Sequence, residues 1–448
     1  MKYDIAIIGG GPAGYNAAEK AASNGFKTIL FEKSAVGGVC LNEGCIPTKT
    51  FLYSAKLLDG MKGAGKYGLQ VGDFSIDHKK VVQRKNKIVK KLTAGVKYKL
   101  NLNGVEIINQ PAVIKGEVDG NISIEAGGEL YQVEHLLLCT GSDTAIPPIK
   151  GLDGVEYWTS KEALEATELP AKLVIIGGGV IGMEFASYFN SVGVDVTVVE
   201  MMPEILGAMD KEISAMLRAE YSKKGVKFHL NTAVVEVAQD KVIIEKEGKR
   251  EELPTDKILV SVGRRANVAN IGLETLGIET ERKGVKVNQF MQTNHPRVYA
   301  AGDITGFSML AHTAIREGEV AINHILGRDD EMSYRGIPGV VYTNPEIAGV
   351  GKTEEELIAS GEDFRVSKLP MTYSGRFMAE NEGVNGLCKL ITNSEGYIIG
   401  CHMMGNPASE LIVLAGTAID LNITVEQFQK IVFPHPTVSE ILREVAFE

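Results

Sequence analysis

Two stretches of the chain follow one plan, and this repeat constrains the fold more than any other feature. KYDIAIIGGGPAGYNAAEKAASNGFKTILFEK near the start and KLVIIGGGVIGMEFASYFNSVGVDVTVVEM in the middle each contain an apolar strand, G-x-G-x-x-G, an amphipathic helix, a second apolar strand and a glutamate. Gly9, Gly11, Gly14 and Glu32 lie 168 positions before Gly177, Gly179, Gly182 and Glu200. A lone G-x-G-x-x-G says little, because glycines also serve ordinary turns. The strand before it, the helix after it and an acid 23 residues beyond the first glycine make each copy a βαβ dinucleotide-binding unit. Glycines let the backbone approach a pyrophosphate at a helix N-terminus, and the carboxylate accepts a hydrogen bond from a ribose hydroxyl. The chain is therefore an α/β protein with two Rossmann-like units.

Residues 37–50, GGVCLNEGCIPTKT, hold two of only five cysteines, Cys40 and Cys45. In a regular helix, residues five apart have Cα atoms about 8.6 Å apart, too far for a disulfide. Either the two never pair, or the backbone between them is bent. Gly44 gives the chain freedom to bend, and Pro47 is suited to the first position of a helix running through TFLYSAKLL. That places Cys45 near a helix N-terminus, where the macrodipole favours the thiolate.

The 448 residues are enough for two to four domains, and 44% are hydrophobic. The N-terminal apolar run is too short for a signal peptide, and no stretch reaches the roughly 18 apolar residues of a membrane span. The expected compartment is the cytoplasm, or an organelle matrix if a transit segment has been removed. Five cysteines are no structural framework, so a disulfide in such a reducing compartment is expected to be catalytic. A net charge of -10 argues against nucleic acid and suits a basic protein partner.

Beyond the second repeat, strand-rich sequence leads to RVYAAGDITGF, then to a helix, LAHTAIREGEVAINHILG, and a polar break at GRDDEMSYRGIP. After the break come alternating strands and two helices, ending in FPHPTVSEILREVAFE. The expected division is a discontinuous first domain of residues 1–148 and 264–333, an inserted nucleotide domain of 149–263, and a C-terminal domain of 334–448.

Taken together, GGGPAG with Glu32, GGVCLNEGCIPTK, Thr140-Gly141, GGGVIGMEF with Glu200, VGRRAN, YAAGD, MLAH at 309–312, YTNPE at 342–346 and HPTVSE at 435–440 carry a resemblance. Over its whole length the chain resembles the flavin-dependent pyridine nucleotide disulfide oxidoreductases. MLAH points to the members that oxidise dihydrolipoamide with NAD, and away from glutathione or mercuric ion reductases. A mercuric enzyme would also carry a further cysteine pair near its C-terminus.

The resemblance implies FAD in the first domain, NAD in the second and an α+β C-terminal dimerisation domain. FAD would be held by Gly9, Gly11, Pro12, Ala13, Gly14, Glu32, Lys33, Gly38, Lys49, Thr140, Gly141, Asp303 and the run Met309, Leu310, Ala311, His312. NAD would be held by Gly177, Gly179, Val180, Ile181, Gly182, Glu200 and Gly263. Cys45 would be the sulfur beside the flavin and Cys40 the one that exchanges with substrate. Lys49 and Glu184 would pair near the two cofactors. His435, oriented by Glu440, would be the acid/base, supplied by the other subunit of a homodimer. The implied partner is a lipoyl domain or lipoyl carrier protein of a 2-oxo acid dehydrogenase or glycine cleavage complex, with no metal, nucleic acid or membrane. The chain departs from the family pattern at Cys139, where alanine is more usual, and at Phe433-Pro434, where many lipoamide enzymes have His-Ala.

Each of these residues also has a plainer reading. Cys40 and Cys45 could be half of a zinc site, but Cys139, Cys388 and Cys401 are not paired in sequence to supply the other half. His435 could be a turn residue between prolines, Lys49 and Glu184 solvated face residues, and Asp303 the cap of the following helix. Cys139, Cys388 and Cys401 read as packing.

Overall fold

The computed structural model describes residues 2–448. The chain forms two compact units. One contains the chain up to Thr48, Val82–Ala145 and Gly263–Met332; the other contains Lys49–Val81, Ile146–Val262 and Ser333–Glu448.

In the first unit, β1 (Lys2–Ile8), α1 (Pro12–Ser23) and β2 (Thr28–Phe31) form the first βαβ unit. The short helix α2 (Gly38–Glu43) and the first turn of α3 (Cys45–Lys62) follow, the rest of α3 and the start of α4 (His78–Leu102) belong to the other unit, and α4 from Val82 on returns to this one. Four more strands come next: β3 (Glu106–Ile108), β4 (Ala112–Val118), β5 (Asn121–Ala126) and β6 (Glu129–Leu138). The sheet order is β3-β2-β1-β6-β5-β4, and the strand Val298–Ala300 also pairs with β6. β1, β2, β3, β6 and Val298–Ala300 run parallel, while β4 and β5 turn back antiparallel. β1 buries Ile5, Ala6, Ile7 and Ile8 in succession, as a parallel strand covered on both faces must. α1 buries Ala13, Gly14, Ala17, Ala18 and Ala21, a face of small side chains. The helix Ala311–Ile325 closes on that face so tightly that a Cβ on Gly318 would lie 2.9 Å from the Ala13 carbonyl oxygen.

The second unit repeats the plan with four parallel strands in the order Lys227–His229, Asp195–Val199, Lys172–Ile176, Lys257–Val260. Its helix Val180–Ser191 buries nine of twelve residues, Glu184 among them, so it is a core helix where α1 is a half-covered one. A three-stranded antiparallel meander, Ala233–Ala238, Lys241–Lys246 and Lys249–Pro254, extends it. The same unit holds a five-stranded antiparallel sheet built from residues 339–404, on which the helix Ala408–Asp420 packs through Leu411, Ile412, Ala415 and Ile419.

Two expectations need correction. α3 begins at Cys45, so Pro47 is its third residue and not its first. The missing N–H costs nothing there, because no residue of a helix's first turn has an intrahelical acceptor; the first such bond runs from the Thr48 N–H to the Gly44 carbonyl at 3.0 Å. The C-terminal region holds five helices and not two. Glu354–Ser360, Gly375–Glu380, Val425–Gln429 and Glu440–Val445 have seven residues or fewer, too short to show a helical period in sequence.

One buried ion pair ties the nucleotide sheet of this unit to the antiparallel sheet. Asp210 caps the helix Lys211–Lys223 by accepting from the Ile213 N–H at 3.1 Å, and its other oxygen accepts from Lys389 Nζ at 2.7 Å. Both side chains are fully buried, and Glu212 also lies 2.9 Å from the ammonium. Lys389→Met leaves Asp210 buried without its cation, which costs about 3–5 kcal/mol. Thermal unfolding should show a clear drop in Tm for Lys389→Met, partly reversed when Asp210→Asn is added. An unchanged Tm in the single variant would contradict this.

Candidate active site

The two glycine turns are built alike, atom for atom. Gly9 and Gly177 have φ of +107° and +105°, and a Cβ on either would strike the carbonyl oxygen at the end of the neighbouring strand, Cys139 at 2.1 Å or Ser261 at 2.5 Å. A Cβ on Gly14 or Gly182 would lie 1.8 or 2.0 Å from the carbonyl oxygen of Gly9 or Gly177. The glutamates correspond too. Glu32 accepts from the Gly10 and Ser34 N–H groups, both at 2.7 Å, and Glu200 accepts from Gly178 at 2.7 Å and Met202 at 2.8 Å. Each carboxylate thus fixes its own glycine turn from the end of the second strand. Pro12 and Ala13, and Val180 and Ile181, form the first turns of the two helices, whose N–H groups have no intrahelical acceptor. Lys33 is exposed just beyond β2.

At the cysteine pair the backbone is bent where the glycine allows it. α2 carries Cys40 and stops at Glu43, Gly44 breaks the helix at φ -142° and ψ -105°, and α3 starts at Cys45. Both cysteines are half-buried. The loop in front is pinned by glycines: Gly37 has φ +105°, and a Cβ on Gly38 would lie 2.6 Å from the Gly11 Cα. Asn42 also holds it, donating to the Gly38 carbonyl at 2.9 Å. Tyr15 on α1 feels both thiols; burial first, and then their charge, raise its hydroxyl pKa. Cys139 is buried and its thiol pKa is pushed far up by desolvation, as suits a packing residue.

Near the end of β6, the Thr140 hydroxyl donates to the Asn267 carbonyl at 2.7 Å, and the Asn267 N–H donates to the Gly141 carbonyl at 2.9 Å. Asp303 caps no α-helix. It opens a short 3-10 turn, accepts from the Ser142 hydroxyl and lies 3.9 Å from Arg264 Nε, while the helix beyond starts at Ala311. Met309 and Leu310 lead into that helix, and Ala311 and His312 form its first turn. Gly263 belongs to this unit, with its carbonyl accepting from the Ala145 N–H at 3.0 Å.

In the other unit Lys49 and Glu184 are paired, not solvated. Lys49 Nζ lies 3.0 Å from both Glu184 oxygens and 4.4 Å from the centre of the Tyr342 ring, and the Tyr342 N–H donates to Glu184 at 3.0 Å. Glu184 is buried on its core helix. His435 is 81% exposed and yet oriented, because its Nδ1 lies 2.8 Å from one Glu440 oxygen while the other accepts from the Thr437 N–H at 2.8 Å. The Thr437 N–H first, and His435 second, hold the Glu440 carboxyl below the usual carboxylate range.

Comparison with known proteins decides the family. A family model described as pyridine nucleotide-disulphide oxidoreductase matches residues 3–318, and the dimerisation domain of the same family matches residues 337–446. The chain belongs to the pyridine nucleotide-disulphide oxidoreductases. It is similar to the dihydrolipoyl dehydrogenase of Thermus scotoductus, 40% identical over 99% of this chain and 96% of that protein. A dihydrolipoyl dehydrogenase of Bacillus subtilis is 36% identical over 98% and 97% of the two chains. Among solved structures, LpdA from Mycobacterium tuberculosis superposes with a TM-score of 0.90 at 28% identity over 99% of both chains. The HOCl-induced flavoprotein disulfide reductase RclA from Escherichia coli superposes with a TM-score of 0.86 at 28% identity, again over 99% of both.

FAD and NAD(H) are the cofactors of this oxidoreductase family, and the two glycine turns fit them. Gly9, Gly14, Gly177 and Gly182 are required by the protein's own backbone. Gly11 and Gly179 are not: a Cβ on Gly179 would meet nothing within 4 Å, and one on Gly11 only the Gly38 Cα at 4.0 Å. Nothing in the protein's own packing therefore requires glycine at these two positions. Sequence reasoning assigned no role to Tyr15, Ser142, Arg264, Asn267 or Tyr342, although VGRRAN and YTNPE, which contain three of them, were visible as motifs.

The two kinds of glycine should respond differently to alanine. Gly179→Ala is expected to keep the Tm of the parent protein and weaken NAD(H) binding at least tenfold in a fluorescence titration. Gly182→Ala should lower Tm itself, since its methyl group would overlap a carbonyl oxygen. Equal losses of Tm in both would show that Gly179 is a packing glycine.

Proposed function

We propose that this oxidoreductase oxidises protein-borne dihydrolipoamide to lipoamide and reduces NAD+ to NADH, working as a homodimer in the cytoplasm or an organelle matrix. The observation that carries the reading is the Cys40/Cys45 pair, split by the bend at Gly44 with Cys45 heading an 18-residue helix. Relatives named dihydrolipoyl dehydrogenase, at 35–40% identity over nearly the full chain, support the choice of substrate.

The chemistry falls to few groups of the chain. With Cys40 and Cys45 joined as a disulfide, one dihydrolipoyl thiolate attacks Cys40 Sγ, forming a mixed disulfide and releasing Cys45 as thiolate. The second dihydrolipoyl sulfur attacks the first, which closes lipoamide and releases Cys40 as thiolate. Two electrons now reside on the cysteine pair, and the protons of the two substrate thiols need an acceptor. His435 takes one through Nε2, since Nδ1 faces Glu440, whose depressed pKa keeps it an anion able to stabilise the imidazolium. The Cys45 thiolate sits at a helix N-terminus, which favours negative charge. FAD, when bound, would supply the carrier of the two electrons to NAD+, where they would arrive as hydride with the second of the two protons. Lys49 and Glu184 bridge α3 and the nucleotide-binding helix as a positioning pair, with Tyr342 holding the lysine's face.

Two experiments test this reading. Purified protein should oxidise free dihydrolipoamide with NAD+, and the kcat/KM for NADP+ should be lower by at least tenfold. Glu200 repels a 2′-phosphate, and the exposed Met201 and Met202 beside it bring no countercharge. Reduction of glutathione disulfide by NADPH at a comparable rate would overturn it. The second experiment addresses the dimer. Cys45→Ser and His435→Ala are each expected to abolish turnover, but co-expressed at random they should recover about a quarter of the sites, because half the dimers are mixed and each mixed dimer has one intact site. No recovery in mixed dimers, verified by two affinity tags, would place His435 outside the partner's site.

A further inference from the structure

The most one-sided surface of the chain lies on α4. Nine of its 25 residues are Lys or Arg and none is Asp or Glu, in a chain that carries 57 acidic against 47 basic side chains overall. Lys87, Lys90, Lys91 and Lys97 are exposed and form no ion pair among the described residues, in contrast to Lys99, which lies 3.3 Å from Glu19. Their spacings of three, four and seven residues put them on one side of the helix, together with Tyr98, which is 67% exposed. The opposite side is buried through Val82, Lys85 and Leu100. Four unpaired cations in a row repel one another, and a fold under no other demand gains nothing by placing them together.

The helix is also tied to the thiol site. Between Lys91 and Lys97, Thr93 donates to the Asn42 side chain at 3.2 Å, and Asn42 lies two residues after Cys40 on α2. At a rise of 1.5 Å per residue, Lys87 and Lys97 fall within roughly 10 Å of that contact along the helix axis. Whatever the stripe attracts is therefore brought to the side of α2 and Cys40.

We propose that this face of α4 docks the acidic surface of the protein domain that carries the dithiol, steering its arm toward Cys40. The proposal rests on the function given above and names the charge of the partner and the side of approach. A second copy of this chain does not fit, because a two-fold contact would set cations against cations. Nor does a membrane: the large apolar side chains that α4 leaves exposed, Leu92, Tyr98 and Leu102, are interrupted around the helix by Lys91 and Lys99 and form no continuous apolar face to insert. A small acidic domain touches the stripe alone, whereas an extended polyanion would also meet the surrounding net negative charge.

The test compares two substrates on the dimeric holoenzyme. Lys87→Gln/Lys90→Gln/Lys91→Gln/Lys97→Gln is assayed with free dihydrolipoamide, which is neutral, and with a reduced lipoyl domain of net negative charge. At low salt the variant should match the parent on free dihydrolipoamide and lose about tenfold in kcat/KM on the domain, through KM; in the parent that advantage should fade as salt rises to 0.5 M. Equal loss on both substrates, or no loss on either, would overturn the docking assignment and leave the function standing. A parent enzyme inactive on free dihydrolipoamide would overturn the function and the docking with it. In a binding arm, tighter association with vesicles containing anionic lipid or with duplex DNA than with the acidic domain would also overturn the proposal.

Discussion

Everything at the site depends on two places where a helix closes on a strand with no room for a Cβ. At Gly9 and Gly14, and again at Gly177 and Gly182, backbone packs on backbone closely enough that a methyl group would overlap a carbonyl oxygen. That contact fixes the start of the helix, and the glutamate at the end of the next strand accepts from the N–H group of the residue after the first glycine, Gly10 or Gly178. The third element is what is missing: Gly11 and Gly179 leave free space beside the turn. One unit with its cysteine loop pinned to such a turn, and another with a core helix carrying Glu184, are two uses of the same device.

The βαβ units were legible in the sequence because their requirements are local and repeat in register, down to the 168-residue offset of all four marker residues. The bend at the cysteine pair was legible from Gly44, since the spacing of the thiols allows few other readings. The helix start at Cys45 was not, because a proline fits any position of a first turn and its preference for the first one misleads by two residues. Tyr342 and Arg264 were out of reach for another reason: a tyrosine under a lysine, and an arginine holding Ser142, are relations between distant segments that no single window contains. The short C-terminal helices were hidden for want of a period.

Net charge is a coarse summary of another kind. Read as a single number, -10 describes an acidic protein suited to a basic partner, and that average conceals a helix of nine cations and no anion. The same sequence, read in windows of a helix length, holds the signal. What it does not hold is the hydrogen bond from Thr93 to Asn42, which gives the stripe a relation to Cys40.

The central claim is that substrate electrons enter at Cys40 and Cys45 and leave to NAD+. Differential alkylation read by mass spectrometry tests it directly, because the other three cysteines are buried and serve as internal controls. The enzyme as isolated should leave both cysteines unlabelled, dihydrolipoamide under anaerobic conditions should expose both to alkylation, and NAD+ added after dihydrolipoamide but before the alkylating agent should leave both unlabelled again. Labelling that is unchanged by dihydrolipoamide, or that changes at Cys139, Cys388 or Cys401 instead, would contradict the account.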